Sequence, residues 1–414
     1  MSYHNIYLAV NGKLPSAPIS ITTCPVLMLR PRAWNMIDHD ILIDGKEAMG
    51  PLIDFGILMY HNAKKLYEAN SGPYFYLSKM EGSFEAELWN EIFVWTQNEL
   101  DIPQGTIKAC VLIENIISTF EMEEILFALR EHSLGLNCGI WDYCASIIAK
   151  FGNKREFLLP DRNKYVNMDR RFLKSYMQLM VNTCHARGAP ATGGMAAAML
   201  KPGTSGADNS SKAIINKVLE AKLKEIEMGV DGFMVYDSRI VIHINELWKK
   251  SSTTPNQIHR ILDISVSPED LLAIPSGGVT LQGLKHNVAV SILFIYHWLA
   301  GIGHFFYNGN VEDSATAEIS RAQIWQWIRF GVVLEDDPTQ QVTAKLVEKT
   351  ASNFAAHAHR NLCRSNAERK RLTAARYMCL EIFLSRNPPE FITSYLNDNH
   401  KFRTLHNKSL LSNL

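Results

Sequence analysis

Four charged residues follow short apolar runs in succession along the first third of the chain. Arg30 follows VLML, Lys79 follows YFYLS, Glu114 follows ACVLI, and Asp142 closes LNCGIW. Runs of this kind, bounded by polar residues, read as buried strands. A charged residue at the carboxyl end of each would bring two cations and two carboxylates to one rim. A strand also ends in a charge simply because the surface begins there, so each residue taken singly is weak evidence. Two carboxylates on adjacent strands beside an arginine are stronger, because paired oxygen ligands with open positions suit Mg2+. Asp313 precedes SATAEISRAQIWQW and has an ordinary reading as a helix N-cap. His132 reads as a helix C-terminal partner, Cys138 lies close to Asp142, and no histidine pair has metal-ligand spacing.

These residues need a scaffold, and the chain alternates short β-rich runs with longer helical patterns. The strand candidates are 26–29, 74–77, 109–113, 136–140, 189–195, 232–236 and 304–307. Between them lie helix patterns such as 83–100, 121–132, 170–187 and 210–228. The last of these is punctuated by Asp208 and Ser210 before it and Gly229 after it. Repeated β-then-α units call for a parallel sheet, and their evenness favours a closed TIM-type (β/α)8 barrel, whose sites lie at the carboxyl ends of the strands. Seven candidates leave that barrel one strand short. From Ser314 onward only helix patterns occur, at 316–330, 342–359 and 365–386. The reading divides the chain into a barrel over 1–303 and a C-terminal helical domain over 304–414.

Composition narrows the function. The 414 residues are 47% hydrophobic and 20% charged, with 42 basic and 42 acidic side chains, as in an ordinary globular enzyme. Balanced charge gives no reason to expect nucleic acid or an anionic membrane as partner. The run 288–303 is apolar but broken by His297 and shorter than the roughly 20 residues a span needs, so it reads as a buried helix. The seven scattered cysteines form no CxxC and read as reduced, buried thiols.

The stretch REHSLGLNCGIWDYCAS (130–146) resembles the signature of the malate synthases. RPRAW (30–34), DFG followed by HNAKKL (54–66), GPYFYLSKM (72–80), GTIKACVLIEN (105–115), LLPDR (158–162), ARGAPATGGMAA (186–197) and VEDSATAEISRAQIWQWI (311–328) stand in family order. The resemblance covers nearly the whole chain and is strongest to the A-type enzymes. It implies an Mg2+-dependent acyltransferase that condenses acetyl-CoA with glyoxylate and hydrolyses the thioester to malate and CoA, a step of the glyoxylate bypass. Glu114 and Asp142 match the Mg2+ ligands. Backbone amides of the 139–142 loop, with Gly139, Trp141 and Asp142, match the glyoxylate site. Arg30 matches the catalytic arginine and Asp313 the base.

The chain also departs from the family. Relatives carry a helical clasp and a first barrel strand ahead of the equivalent of Arg30, which accounts for the count of seven. Where relatives read Asp-Gly-x-Trp-x-x-His-Pro-Gly, this chain has Asp231-Gly232-Phe233-Met234-Val235-Tyr236-Asp237-Ser238-Arg239, and Ala221-Lys222 stands where Asp-Lys is frequent. These departures keep two alternatives open: a non-catalytic barrel homologue and a related CoA-ester lyase. The terminal Ser412-Asn413-Leu414 is one residue from the Ser-Lys-Leu peroxisomal address, so the expected compartment is the peroxisome (glyoxysome) or the cytoplasm.

Overall fold

The structure, a computed structural model, describes residues 8, 10, 11, 13, 25–201, 203 and 208–399. The Ser412-Asn413-Leu414 ending lies outside them.

Six parallel strands form the main sheet: β1 (Met28–Leu29), β4 (Tyr74–Leu77), β5 (Lys108–Ile113), β6 (Ser133–Cys138), β7 (Ala191–Ala196) and β8 (Gly232–Val235), in that spatial order. Helices return the chain between them. These include α1 (Gly50–Glu68), α2 (Ser83–Glu99), α3 (Met122–Ala128), α4 (Ile140–Phe151), α5 (Arg171–Ala186), α6 (Asn209–Glu227) and α7 (Ser238–Ser251). Strand β5 is buried on both faces, with Ala109, Val111 and Ile113 in the main core and Cys110 and Leu112 packed with Tyr76 on the other side, so it reads as a continuous apolar run. The expected punctuation of α6 is present: Asp208 accepts a hydrogen bond from the Ser211 amide at 3.0 Å, and Gly229 has φ +100°.

One strand candidate joins a different sheet. Residues 305–307 (β9, Phe305–Tyr307) pair antiparallel with β10 (Asn310–Glu312) rather than extending the parallel sheet. Asn308 (φ +48°) and Gly309 (φ +80°) make the tight turn between them, the geometry that an Asn-Gly pair favours in a hairpin. A second hairpin, β2 (Ile37–Ile43) with β3 (Lys46–Met49), turns on Asp44 and Gly45 for the same reason. Among the described residues β1 and β8 are therefore the edges of a six-stranded, open sheet.

The C-terminal part packs α8 (Leu281–Trp298), α9 (Ser314–Arg329), α10 (Ala344–Asn361) and α11 (Asn366–Leu384), followed by the short α12 (Ile392–Asp398). No helix among the described residues is long and apolar enough to cross a membrane. The run read as a buried helix is α8, whose residues Asn287–Tyr296 are all buried. It packs with the C-terminal helices, so their shared core begins at Val279, whereas chain character alone placed the division between 303 and 304. Helix α9 joins the two cores. Ile319, Ala322 and Trp325 face the sheet-side core, while Ala317, Ile324 and Trp327 face the C-terminal one. These sets fall on different sides of a 3.6-residue helix, which fixes α9 and the residue that begins it.

Candidate active site

The carboxyl ends of β1, β5 and β6 open into a cleft of about 140 Å3. Arg30, Glu114, Gly139, Trp141, Asp142 and Asp313 all line it. Five of them come from strand ends or the first turn of α4, and the sixth arrives on the β9–β10 hairpin. These six residues are thus in one place, whereas Lys79 and His132 are not part of its lining.

The parallel register sets the centre. Ile113 pairs with Cys138, so the next residues, Glu114 and Gly139, stand side by side. A methyl group on Gly139 would lie 2.8 Å from Glu114 Cβ, which is why the position carries no side chain. Asp142 is not a strand end, as its sequence context suggested. Strand β6 stops at Cys138, Gly139 caps α4, and Asp142 occupies the first helical turn, where a carboxylate is stabilised by the helix dipole.

Glu114 and Asp142 are both buried and in hydrogen-bond contact. Burial, followed by the Asp142 carboxylate, pushes Glu114 well above the usual carboxylate range. Burial works in the same direction on Asp142, but the Lys79 ammonium and the hydrogen bond to Glu114 outweigh it and hold Asp142 below its ordinary value. Two acids in contact do not both ionise without a cation to offset their repulsion. Asp142 Oδ1 is buried and accepts no well-aligned hydrogen bond, although Lys79 Nζ stands 2.8 Å from it. Among the described residues no third carboxylate, histidine or cysteine joins the pair. Two buried carboxylates with the remaining positions left to water or substrate are a donor set suited to a hard divalent cation such as Mg2+.

Arg30 reaches over Tyr76, with Cζ 5.6 Å from the ring centroid. Desolvation opposes its charge; Glu114 first, then Asp142 and Asp313 among the acids, outweigh it and keep the guanidinium firmly protonated. Two residues on, Arg32 donates to Asp54 on α1 at 2.8 Å and to Asp38 on β2 at 2.9 Å, which pins the loop that carries Arg30. Asp313 is the N-cap of α9. Its side chain accepts from the Ala315 amide at 2.9 Å, and its own N–H donates to Thr316 Oγ1 at 3.0 Å. The cap reading and the cleft-lining position are therefore both true of one residue.

The turn between β6 and α4 is held from below. Tyr176 Oη on α5 accepts from the Gly139 N–H at 2.9 Å and donates to the Ile113 carbonyl. The Gly139 amide is thereby engaged, and the N–H groups that face outward from the start of α4 are those of Ile140, Trp141 and Asp142, which have no acceptor within their own helix. Arg162 lies over the Trp141 ring at 4.9 Å and donates to Asn287 and Ser320, so Trp141 is backed by the C-terminal core.

Two family comparisons match this architecture. Residues 26–274 match the malate synthase TIM barrel domain, and residues 278–399 match the malate synthase C-terminal domain. The chain belongs to the malate synthase family. It is 46% identical over 312 residues to a malate synthase of Myxococcus xanthus, covering 75% of this chain and 57% of that protein. It is 35% identical over 401 residues to the glyoxysomal malate synthase of Candida tropicalis, covering 95% of this chain and 71% of that one. A malate synthase of Haloferax volcanii, solved as a magnesium and glyoxylate complex, is 13% identical with a TM-score of 0.39, covering 89% of this chain and 82% of that one. The chain spans 57% and 58% of the lengths of the Myxococcus xanthus and Dictyostelium discoideum relatives.

Within this malate synthase fold, the departing segment 231–239, which includes β8, does local structural work. Asp237 caps α7, accepts from the Leu200 amide at 2.9 Å, and pairs with Arg239 at 2.6 Å. Met234 is the residue of that segment that reaches the cleft. Lys222 is buried and donates to the Gly194 carbonyl at 2.7 Å and to Glu225. His132 is buried away from the cleft, facing the Ile107 carbonyl at 2.8 Å and packing on Phe93. Cys138 does line the cleft, but burial pushes its thiol up to about 12, which leaves it unreactive. Sequence reasoning assigned no place to Tyr76, which donates to Asn137 at 2.8 Å beneath Arg30, nor to Tyr176. From the sequence Lys79 reads as a strand-end cation without a role.

Proposed function

We propose that the protein condenses acetyl-CoA with glyoxylate and hydrolyses the resulting thioester to malate and CoA. The observation that carries this reading is the convergence of Arg30, Glu114, Asp142 and Asp313 on one cleft from four separate elements. Glu114 and Asp142 would hold Mg2+, which when bound supplies Lewis-acid polarisation of the glyoxylate carbonyl. The N–H groups at the start of α4 face the place where an anionic carboxylate is stabilised. Asp313 takes a methyl proton from acetyl-CoA and keeps it on its carboxyl group. A carboxylate is a poor base for so weak a carbon acid, and the step depends on Arg30, whose fixed positive charge offsets the negative charge that develops on the thioester oxygen. The same guanidinium then faces the new alkoxide. Its planar fork can meet two oxygens at once, which a lysine ammonium cannot.

The glyoxysomal names of the Candida tropicalis and Brassica napus relatives support placing this protein in the same compartment. The test of function is direct: the purified chain is mixed with acetyl-CoA and CoA release is followed with a thiol reagent. Release that requires both glyoxylate and Mg2+ supports the reading. Release without glyoxylate, or no release with both present, overturns it.

A further inference from the structure

Lys79 touches both members of the carboxylate pair with two different groups. Its backbone N–H donates to Glu114 Oε1 at 2.7 Å, and its Nζ stands 2.8 Å from Asp142 Oδ1. The residue has φ +55°, a left-handed conformation that a long side chain adopts at a cost. That conformation turns the N–H towards the end of β5 while the side chain crosses to α4. The ammonium is not solvated. Its side chain is 9% exposed, and the ring of Phe391, brought by the C-terminal helices, lies 5.3 Å from Nζ. A buried ammonium is stabilised by a paired anion, and Asp142 is the acid that its Nζ meets.

We propose that Lys79 is a built-in counter-cation of the Glu114–Asp142 pair, holding both carboxylates in place and competing with the divalent cation for their charge. The inference deepens the proposed function and rests on its assignment of Glu114 and Asp142 as metal ligands. A like charge a few Å from a divalent ion repels it strongly in a buried site. Lys79 thereby keeps metal affinity below what two buried carboxylates would give alone, so that the metal exchanges readily. A purely structural role makes the opposite statement, because loss of a brace loosens a site.

The test is Mn2+ binding to the whole chain without substrates, read from the electron paramagnetic resonance signal of the free ion. Lys79→Met keeps the length and removes the charge, and should bind Mn2+ about tenfold more tightly or better. Lys79→Gln, a polar and neutral alternative, should tighten in the same direction and stands in should the Met variant not fold. Lys79→Arg keeps the charge and should stay within about threefold of the parent. Unchanged or weaker binding in the neutral variants overturns the counter-cation role. Binding by the parent that Glu114→Gln abolishes shows the metal assignment to be sound whatever Lys79 does. A parent chain that binds no Mn2+ overturns the assignment and this inference together.

Discussion

Glu114 and Gly139 stand so close that a single added methyl group on the glycine would meet Glu114 Cβ at 2.8 Å and Oε2 at 3.4 Å. Their contact follows from the β5–β6 register and leaves no slack at the proposed metal site. Gly139→Ala should therefore push the Glu114 carboxylate out of line, with an overpacking cost of about 1–3 kcal/mol. We expect a lowered melting temperature and Mn2+ binding weakened by about an order of magnitude. Gly56→Ala, on an exposed turn of α1 where a methyl would meet nothing within 4 Å, is the control and should be neutral or stabilising by about 1 kcal/mol. Equal Mn2+ affinity in the two variants would show that Glu114 is not the ligand.

A second contact holds the same two strand ends from beneath. The Tyr176 ring is buried and stacked on Tyr143, with centroids 4.3 Å apart. Its hydroxyl joins the Gly139 N–H to the Ile113 carbonyl. Tyr176→Phe keeps the stack and leaves both main-chain groups without that partner, which costs about 1–3 kcal/mol. Urea unfolding should show that loss, and KM for glyoxylate should rise more than kcat falls, because the variant disturbs the α4 turn rather than the base. A fall confined to kcat would contradict the positioning argument.

What the sequence discloses about this site depends on how local each signal is. Arg30 and Glu114 directly follow apolar strands, so their placement is readable from a few neighbours. Asp142 lies four residues past its strand, and the run LNCGIW hides the change at Gly139 from strand to helix. Phe305–Tyr307 is as β-prone as any barrel strand, and only the Asn308-Gly309 turn says that it folds back on Asn310–Glu312. That hairpin is what delivers Asp313 to the cleft. Tyr176 gives no signal at all, since an aromatic on a helix reads as core and its hydroxyl serves main-chain groups 37 and 63 residues away.

Stability should also carry the titration of one buried histidine. His185 Nε2 faces Asp231 Oδ2 at 3.0 Å, and Nδ1 faces the Arg260 carbonyl. Both ring nitrogens meet acceptors, which favours the protonated form. Burial opposes the charge, but the Asp231 hydrogen bond and then the Arg260 carbonyl raise the pKa above its ordinary value. A raised native value means that this contribution is complete below the unfolded value of about 6.5 and is lost as pH rises through the native one. Unfolding free energies measured from pH 6 to 9 should therefore fall further for the parent than for His185→Phe. Parallel profiles would show that the imidazole is neutral throughout.

Asp313 serves two purposes that substitution can separate. As the cap of α9 it accepts from the Ala315 amide, and α9 ties together the two hydrophobic cores. Asp313→Asn retains an oxygen that can accept that bond, so the fold should be nearly unchanged; Asp313→Ala should cost about 0.5–2 kcal/mol. As the base, the carboxylate is needed in both cases. Proton removal can be followed without carbon–carbon bond formation, as solvent deuterium entering acetyl-CoA in the presence of an unreactive glyoxylate analogue. Both variants should lose exchange and malate formation together, by orders of magnitude, although only the alanine variant is less stable. Arg30→Lys should retain acetyl-CoA binding while malate formation falls severely, because one charge remains without the fork that meets two oxygens. Near-normal exchange in Asp313→Asn would mean that another group takes the proton, and that Asp313 serves α9 alone.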